Sequence, residues 1–123
     1  MWVRNAGFQL RGVTVDNRYD ESQNGNMHQA VALTTEADRV HLEQVRLLGN
    51  QDTLYLKTGA PDRIARVFIH KSLIEGDVDF IFGPATAYFL KSEIRWVGGA
   101  RQAASGYVAA PSTHLNVPYG FVF

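Results

Sequence analysis

The sequence predicts a parallel β-helix, a solenoid in which every coil adds one strand to each of several sheets. A short apolar pattern recurs four times, the recurrences begin 32, 27 and 20 residues apart, and no long helical periodicity separates them. Variable spacing around a constant unit is typical of coils that differ in loop length. The four units are Phe8, Leu10, Val13 and Val15; Val40, Leu42, Val45 and Leu47; Val67, Ile69, Ser72 and Ile74; and Ala87, Phe89, Ser92 and Ile94.

Each unit predicts two short strands joined by a bend. Two apolar residues alternate with polar ones, a one-residue offset follows, and the alternation then resumes. Ser72 and Ser92 hold equivalent positions, which suggests small inward or bend residues. We expect a fifth unit to begin at Tyr119 in "YGFVF", which gives roughly four to five coils in all.

A β-sandwich is the alternative all-β fold. Sandwich strands usually recur every 8 to 12 residues or so, with antiparallel hairpin turns between them. No two-residue Asn-Gly or Asp-Gly hairpin joins neighbouring units here. The "NGN" at 24–26 lies in a polar insertion, "NRYDESQNGN" at 17–26, which we expect to be an exposed loop, as is "GGARQAASG" at 98–106.

Composition indicates one globular domain and excludes several kinds of function. The chain has 123 residues, of which 46% are apolar and 20% charged, and its twelve basic residues balance its twelve acidic ones. This balance argues against a nucleic-acid partner. The absence of cysteine excludes disulfides and a cysteine nucleophile, and no stretch has the length of a membrane span. Because the chain opens inside one apolar unit and stops inside another, we expect residues 1–123 to be a partial β-helix domain, truncated at both ends.

Two glycine-led segments carry an aspartate at their fourth residue. "GNQDTLYL" at 49–56 and "GDVDFIFG" at 76–83 align without a gap, so Asp52 and Asp79 are one coil, or 27 residues, apart. Equivalent residues on neighbouring parallel strands stack at about 4.8 Å. We therefore expect the two carboxylates to be neighbours on one face.

Paired carboxylates suit acid–base chemistry. Two ionised carboxylates at short range repel each other, so that one of such a pair usually keeps a proton while the other stays ionised. The alternative is an aspartate ladder that caps turns or binds calcium. The apolar and aromatic company of Asp52 and Asp79 favours the first interpretation. Tyr55 and Phe82 suit either stacking on sugar rings or the core.

Four segments together resemble the consecutive signature segments of pectin methylesterases, also called pectinesterases, in their bacterial branch. They are "QAVAL" at 29–33, "GNQDTLY" at 49–55, "GDVDFIFG" at 76–83 and "GYVAAPST" at 106–113. The resemblance implies a right-handed single-stranded parallel β-helix. It also implies hydrolysis of the C6 methyl ester of galacturonate units in pectin, with no cofactor or metal, and secretion to the periplasm, the outer membrane or the medium.

The resemblance also implies roles for individual residues. Asp79 corresponds to the nucleophile and Asp52 to the general acid and base. Gln29 and Gln51 correspond to the side chains that stabilise the oxyanion. The positions that correspond to the lining of the substrate groove are Tyr55, Val78, Phe82 and Ala110.

One feature of the family pattern is not found. The family site includes an arginine in a downstream "GRPW" motif, and neither Arg95 nor Arg101 has that context. We therefore expect the 123-residue chain alone to be weak or inactive as an esterase. A non-catalytic polysaccharide-binding β-helix, and an esterase or thioesterase of the same fold with another substrate, remain alternatives. His28, in the polar insertion, is expected to be solvated rather than catalytic.

Overall fold

A computed structural model of the protein describes residues 1–17, 19, 29–98 and 106–123. Most of the two predicted loops at 17–26 and 98–106 lies outside these residues, as do His28 and Arg101. Within the described ranges, no helix is long and apolar enough to cross a membrane.

The described chain consists of short strands wound in successive coils. Numbered in chain order, the first coil carries β1 (Trp2–Val3), β2 (Gln9–Arg11) and β3 (Thr14–Asp16), and the second β4 (Leu33–Thr35), β5 (Val40–Glu43) and β6 (Arg46–Leu48). The third carries β7 (Leu54–Leu56), β8 (Arg66–His70) and β9 (Leu73–Gly76), and the fourth β10 (Ile81–Gly83), β11 (Thr86–Leu90) and β12 (Glu93–Trp96). The last contributes β13 (Ala109–Pro111) and β14 (Phe121–Val122).

Three parallel sheets run along the solenoid. Sheet A has the order β1-β4-β7-β10-β13, sheet B the order β14-β11-β8-β5-β2, and sheet C the order β12-β9-β6-β3. Every neighbour in a sheet therefore comes from an adjacent coil, and each pairing among the described strands is parallel. This topology confirms the predicted parallel β-helix and contradicts the sandwich.

The strand register confirms the repeat pattern. In sheet B, Leu42 lies between Leu10 and Ile69, and in sheet C, Leu47 lies between Val15 and Ile74. The predicted start of the fifth unit was wrong by two residues, because Phe121 rather than Tyr119 pairs with Ala87.

The core is a column of inward-facing side chains from the three sheets. Equivalent apolar residues of successive coils stack directly on one another, which removes them from water. The largest fully buried members include Leu33, Leu42, Leu47, Leu54, Leu56, Ile69, Ile74, Phe80 and Ile81.

A left-handed residue produces the bend between sheets B and C in each of the first four coils. These residues are Gly12, Gln44, Lys71 and Lys91, with φ of 64°, 53°, 49° and 50°. The bend explains the one-residue offset in every unit. Ser72 packs just after it, and its buried hydroxyl accepts a hydrogen bond from Val45 N–H (3.2 Å) and donates to the His70 carbonyl (2.9 Å).

Candidate active site

Asp52 and Asp79 occupy equivalent places on successive coils, just before β7 and β10. Leu54 pairs with Ile81, and Asp52 N–H donates to the carbonyl of Val78 at 3.1 Å. The 27-residue interval is therefore one turn of the solenoid, and the two residues lie one strand spacing apart, about 4.8 Å.

Both aspartates have a left-handed backbone. Their φ values are 64° and 48°, a region in which aspartate is better tolerated than most side chains because its short polar group interacts with the local backbone. The residue after each aspartate, Thr53 or Phe80, is fully buried. Each coil thus packs the following residue into the core and leaves the aspartate at the margin of sheet A.

The leading glycines allow this local packing. A Cβ on Gly49 would lie 2.6 Å from Thr53 Oγ1, and a Cβ on Gly76 would lie 2.2 Å from Phe80 Cβ and 2.6 Å from the Asn50 carbonyl oxygen. These distances are shorter than side chains tolerate. Glycine at the first position therefore permits the residue four places later to pack against the backbone in both segments.

A groove of about 430 Å³ on the outer face of sheet A contains both carboxylates. Asp52 is 4% exposed, whereas Asp79 is half-buried. Of the eight residues named from the sequence, six line this groove together with Val31: Gln29, Asp52, Tyr55, Asp79, Phe82 and Ala110. Within the described chain, Gln51 and Val78 are not among its lining residues.

The backbone of Gln51 and of Val78 nevertheless supports the coils around the groove. The Gln51 carbonyl accepts from Ala30 N–H at 3.4 Å, and the Val78 carbonyl accepts from Asp52 N–H. Both residues are half-buried.

Tyr55 and Phe82 form one wall of the groove. Their rings stack with centroids 4.3 Å apart and an interplanar angle of 8°. Both are half-buried on the outer face of sheet A, so they are neither core residues nor isolated platforms. The pairing of Tyr55 with Phe82 in the register of β7 and β10 explains the stack.

Three further residues near the aspartates were not predicted from the sequence as part of the site. Val31 lines the groove, and the Tyr107 carbonyl accepts a hydrogen bond from Asp79 N–H at 2.7 Å. Asp77 is 2% exposed, and its Oδ1 accepts from Val78 N–H at 2.6 Å. The position of Tyr107 in the "GYVAAPST" segment, two residues before β13, was the available clue.

No arginine or lysine in the part of the chain that the structure describes forms an ion pair with Asp79. Arg95 lies on sheet C, where it donates to Glu93 at 2.9 Å and to Glu75 at 3.0 Å. Hydrogen bonds to Glu93 and then Glu75 raise the pKa of Arg95. The described residues contain no cluster of three or more His, Asp or Glu side chains fit for a metal ion.

Comparison with known proteins places this geometry in a family. The family model described as Pectinesterase matches residues 1–123. The chain is 42% identical over 128 residues to Pectinesterase B of Dickeya dadantii (strain 3937), covering 99% of this chain and 29% of that protein. It is 36% identical over 127 residues to the putative acyl-CoA thioester hydrolase YbhC of Escherichia coli (strain K12), covering 98% of this chain and 30% of that protein.

Solved structures have the same fold. The crystal structure of Escherichia coli YbhC matches with a TM-score of 0.87 at 35% identity, covering 98% of this chain and 32% of that one. A pectin methylesterase in complex with a hexasaccharide matches with a TM-score of 0.76 at 34% identity, covering 97% and 37%. The likeness confirms that the β-helix is right-handed.

The chain spans about 30% of the length of the curated relatives that it matches. The family model nevertheless matches the chain from its first residue to its last, and the groove contains both aspartates of the two glycine-led segments. The chain belongs to the pectinesterase family.

Proposed function

We propose that the protein hydrolyses the methyl esters of galacturonate units in pectin. The observation that carries this proposal is the groove that holds Asp52 and Asp79, from successive coils, beside the stacked Tyr55 and Phe82. Membership of the pectinesterase family supports the reaction. The hexasaccharide bound to a related pectin methylesterase supports a polysaccharide substrate.

In the first step, the Asp79 carboxylate attacks the C6 carbonyl carbon of the ester. A negatively charged tetrahedral intermediate forms, and the side-chain amide of Gln29, which lines the groove, donates a hydrogen bond to its oxygen. The resemblance to the family assigns a second such donor to Gln51, the residue before Asp52. The bond between the carbonyl carbon and the methoxy oxygen then breaks. Asp52 gives its proton to the departing oxygen, so methanol leaves and Asp79 carries the acyl group as an anhydride.

In the second step, Asp52 acts as a base. Its carboxylate takes a proton from a water molecule, and the resulting hydroxide attacks the acyl carbon. The anhydride bond to Asp79 breaks, the galacturonate leaves with a free carboxyl group, and both aspartates return to their initial state. The half-buried position of Asp79 keeps it open to substrate while the burial of Asp52 shields its proton from bulk water.

The Escherichia coli relative favours one second candidate, hydrolysis of an acyl thioester. The same attack by Asp79 would form the same anhydride, and a thiol rather than methanol would leave. The stacked aromatic wall favours the sugar ester, since ring C–H faces pack well against aromatic side chains.

Pectin is the proposed binding partner. The proposal includes a secreted, periplasmic or outer-membrane location, because pectin is a polymer of plant cell walls and lies outside the cell that makes the enzyme.

Methanol release from methyl-esterified pectin tests the proposal in the longest natural chain that contains residues 1–123. We expect Asp79→Ala to lower the rate at least about 10³-fold and Asp52→Asn by a similar factor, because each removes a group that touches the reacting atoms. Asp62→Asn, in an exposed turn, serves as the control and leaves the rate unchanged.

Two other outcomes would replace the proposal. Hydrolysis of acyl-CoA substrates with no methanol release would favour the thioesterase. Binding of pectin with no hydrolysis of either substrate would favour a non-catalytic module.

A further inference from the structure

Trp2 lies in the same outward row of sheet A as the aromatic wall of the groove. Trp2 pairs with Thr34, Thr34 with Tyr55, and Tyr55 with Phe82. The flanking Val3 is buried, as the alternation of a strand requires. Tyr55 lies two strand spacings from Trp2, and Phe82 lies three strand spacings from it. These spacings correspond to about 10 Å and about 14 Å along the solenoid.

The indole of Trp2 is open to solvent and has two cations beside it. Trp2 is 54% exposed, the Arg4 guanidinium lies 3.9 Å from the ring centroid, and Lys57 Nζ lies 5.2 Å from it. Guanidinium packing on an aromatic face also holds the ring in place.

One carboxylate organises the two cations. Glu36 accepts a hydrogen bond from Arg4 Nε at 3.2 Å and from Lys57 Nζ at 3.0 Å. The hydrogen bond from Lys57 and the charges of Lys57 and Arg4 lower the pKa of Glu36, so it is ionised at neutral pH. Two positive charges against one negative leave a net charge of +1 beside an exposed aromatic ring.

Lys57 connects this cluster to the groove. Together with Tyr55, Pro84, Ser112 and His114 it lines a depression of about 380 Å³ next to the aromatic wall. A polysaccharide that lies over Phe82 and Tyr55 and continues along sheet A towards Trp2 therefore contacts Lys57 before it reaches Trp2.

We propose that Trp2, Arg4 and Lys57 form a distal subsite for a galacturonate unit whose carboxylate is free. The inference rests on the proposed function and adds a preference to it. The C–H face of the sugar packs on the indole, and its carboxylate accepts hydrogen bonds from Arg4 and Lys57. A methyl-esterified unit carries no charge and lacks that attraction, so the enzyme favours chains that already contain free carboxylates a few units from the ester.

Binding of polygalacturonate tests the subsite without any hydrolysis, because this polymer contains no ester. In the longest natural chain that contains residues 1–123, we expect Trp2→Ala and Lys57→Gln each to raise the Kd for polygalacturonate about five- to tenfold. Binding of fully methyl-esterified polygalacturonate should change less than about twofold in Lys57→Gln, since the lost charge has no partner there.

Arg11→Gln is the matched control. Arg11 and Arg4 are both exposed arginines that pair with a glutamate 32 residues later, but Arg11 lies on sheet B with Glu43. Its substitution should leave binding unchanged. Trp2→Phe should recover part of the affinity, and Lys57→Gln, at a half-buried position outside the core, keeps the test valid if Trp2→Ala lowers the melting temperature.

Fluorescence gives a direct readout, because Trp2 is exposed to solvent. Polygalacturonate should quench the emission, and the difference in quenching between the unchanged protein and Trp2→Phe measures the contribution of Trp2. Unchanged polygalacturonate affinity in both Trp2→Ala and Lys57→Gln would overturn the subsite even if methanol release is normal. Loss of affinity in a protein that releases no methanol would retain the subsite and overturn the esterase.

Discussion

Asp52 and Asp79 share a left-handed backbone conformation one above the other, with φ of 64° and 48°. Such a conformation costs a non-glycine residue about 1–2 kcal/mol relative to the ordinary regions. Both aspartates of the proposed reaction therefore sit at strained positions, and the buried Thr53 and Phe80 that follow them hold the conformation in place.

Glycine at these positions should relieve the strain. We expect Asp79→Gly to be about 1 kcal/mol more stable to urea unfolding than Asp79→Ala, while neither releases methanol. The comparison of Lys71→Gly with Lys71→Ala, at a left-handed bend away from the groove, should give a similar difference with activity retained. Equal urea midpoints for the two Asp79 variants would contradict the strain argument.

The close approach at Gly76 predicts a sharp loss of stability. A methyl group there would meet Phe80 Cβ at 2.2 Å and the Asn50 carbonyl oxygen at 2.6 Å. We expect Gly76→Ala to cost at least about 3 kcal/mol of unfolding free energy, because both neighbours are fixed by packing. At Gly59 the same change meets only the end of the flexible Arg63 side chain, at 3.6 Å, so Gly59→Ala should cost less than about 1 kcal/mol. Thermal melting of the two variants side by side measures the contrast.

The stack of Tyr55 on Phe82 should appear as a coupling energy. In a double-mutant cycle with alanine at each position, we expect an interaction of about 0.5–1.5 kcal/mol in the free energy of unfolding. The single variants should also raise KM for pectin, since both rings line the groove. A cycle between Tyr55 and Tyr88, which lie on different sheets, should be additive, and a coupling of the same size there would argue against a specific stack.

The Asp38–Arg66 pair predicts a contribution to stability that depends on pH. Asp38 Oδ1 accepts from Arg66 N–H and Nε–H, both at 2.9 Å, and the side-chain hydrogen bond from Arg66 lowers the pKa of Asp38 well below its ordinary value of 3.8. A carboxyl group with a lowered pKa in the folded state stabilises the fold above its ordinary value. The stabilisation is lost as the pH falls from there towards the folded-state pKa.

Arg66→Gln tests this dependence. Because the pair is exposed to solvent and therefore screened, we expect only a small loss of unfolding free energy at pH 6, and this loss should shrink steadily below about pH 4. Arg63→Gln, at an exposed position three residues before Arg66, should show no such trend. A difference between the Arg66 variant and the unchanged protein that is constant from pH 6 to pH 2 would refute the assignment.

The repeat and the aspartate pair were predictable from sequence because stacked coils bury equivalent residues. Leu10, Leu42 and Ile69 form one inward-facing column, so their common spacing is visible in the sequence. The segments of Asp52 and Asp79 align without a gap, and the register follows directly. The fifth coil was misplaced because Tyr119, Phe121 and Phe123 alternate equally well from either start.

Other parts of the site were not predictable in this way. Tyr107 lies below Asp79 in a coil whose loop has a different length, so no regular interval indicates the neighbour. The left-handed bends at Gln44, Lys71 and Lys91 use residue types with no preference for that conformation. The inward packing on both sides of each bend imposes it, and only the folded coil contains that information.

The bend between sheets B and C lies at the same place in each of the first four coils, whereas the connecting loops differ in length from coil to coil. The units begin 32, 27 and 20 residues apart, yet the strands of neighbouring coils pair in one continuous register. An insertion in a connecting segment therefore alters the rim of the groove and what can approach it. The distance between the two carboxylates stays that of two adjacent strands, so new specificity can evolve at the rim without rebuilding the reacting pair.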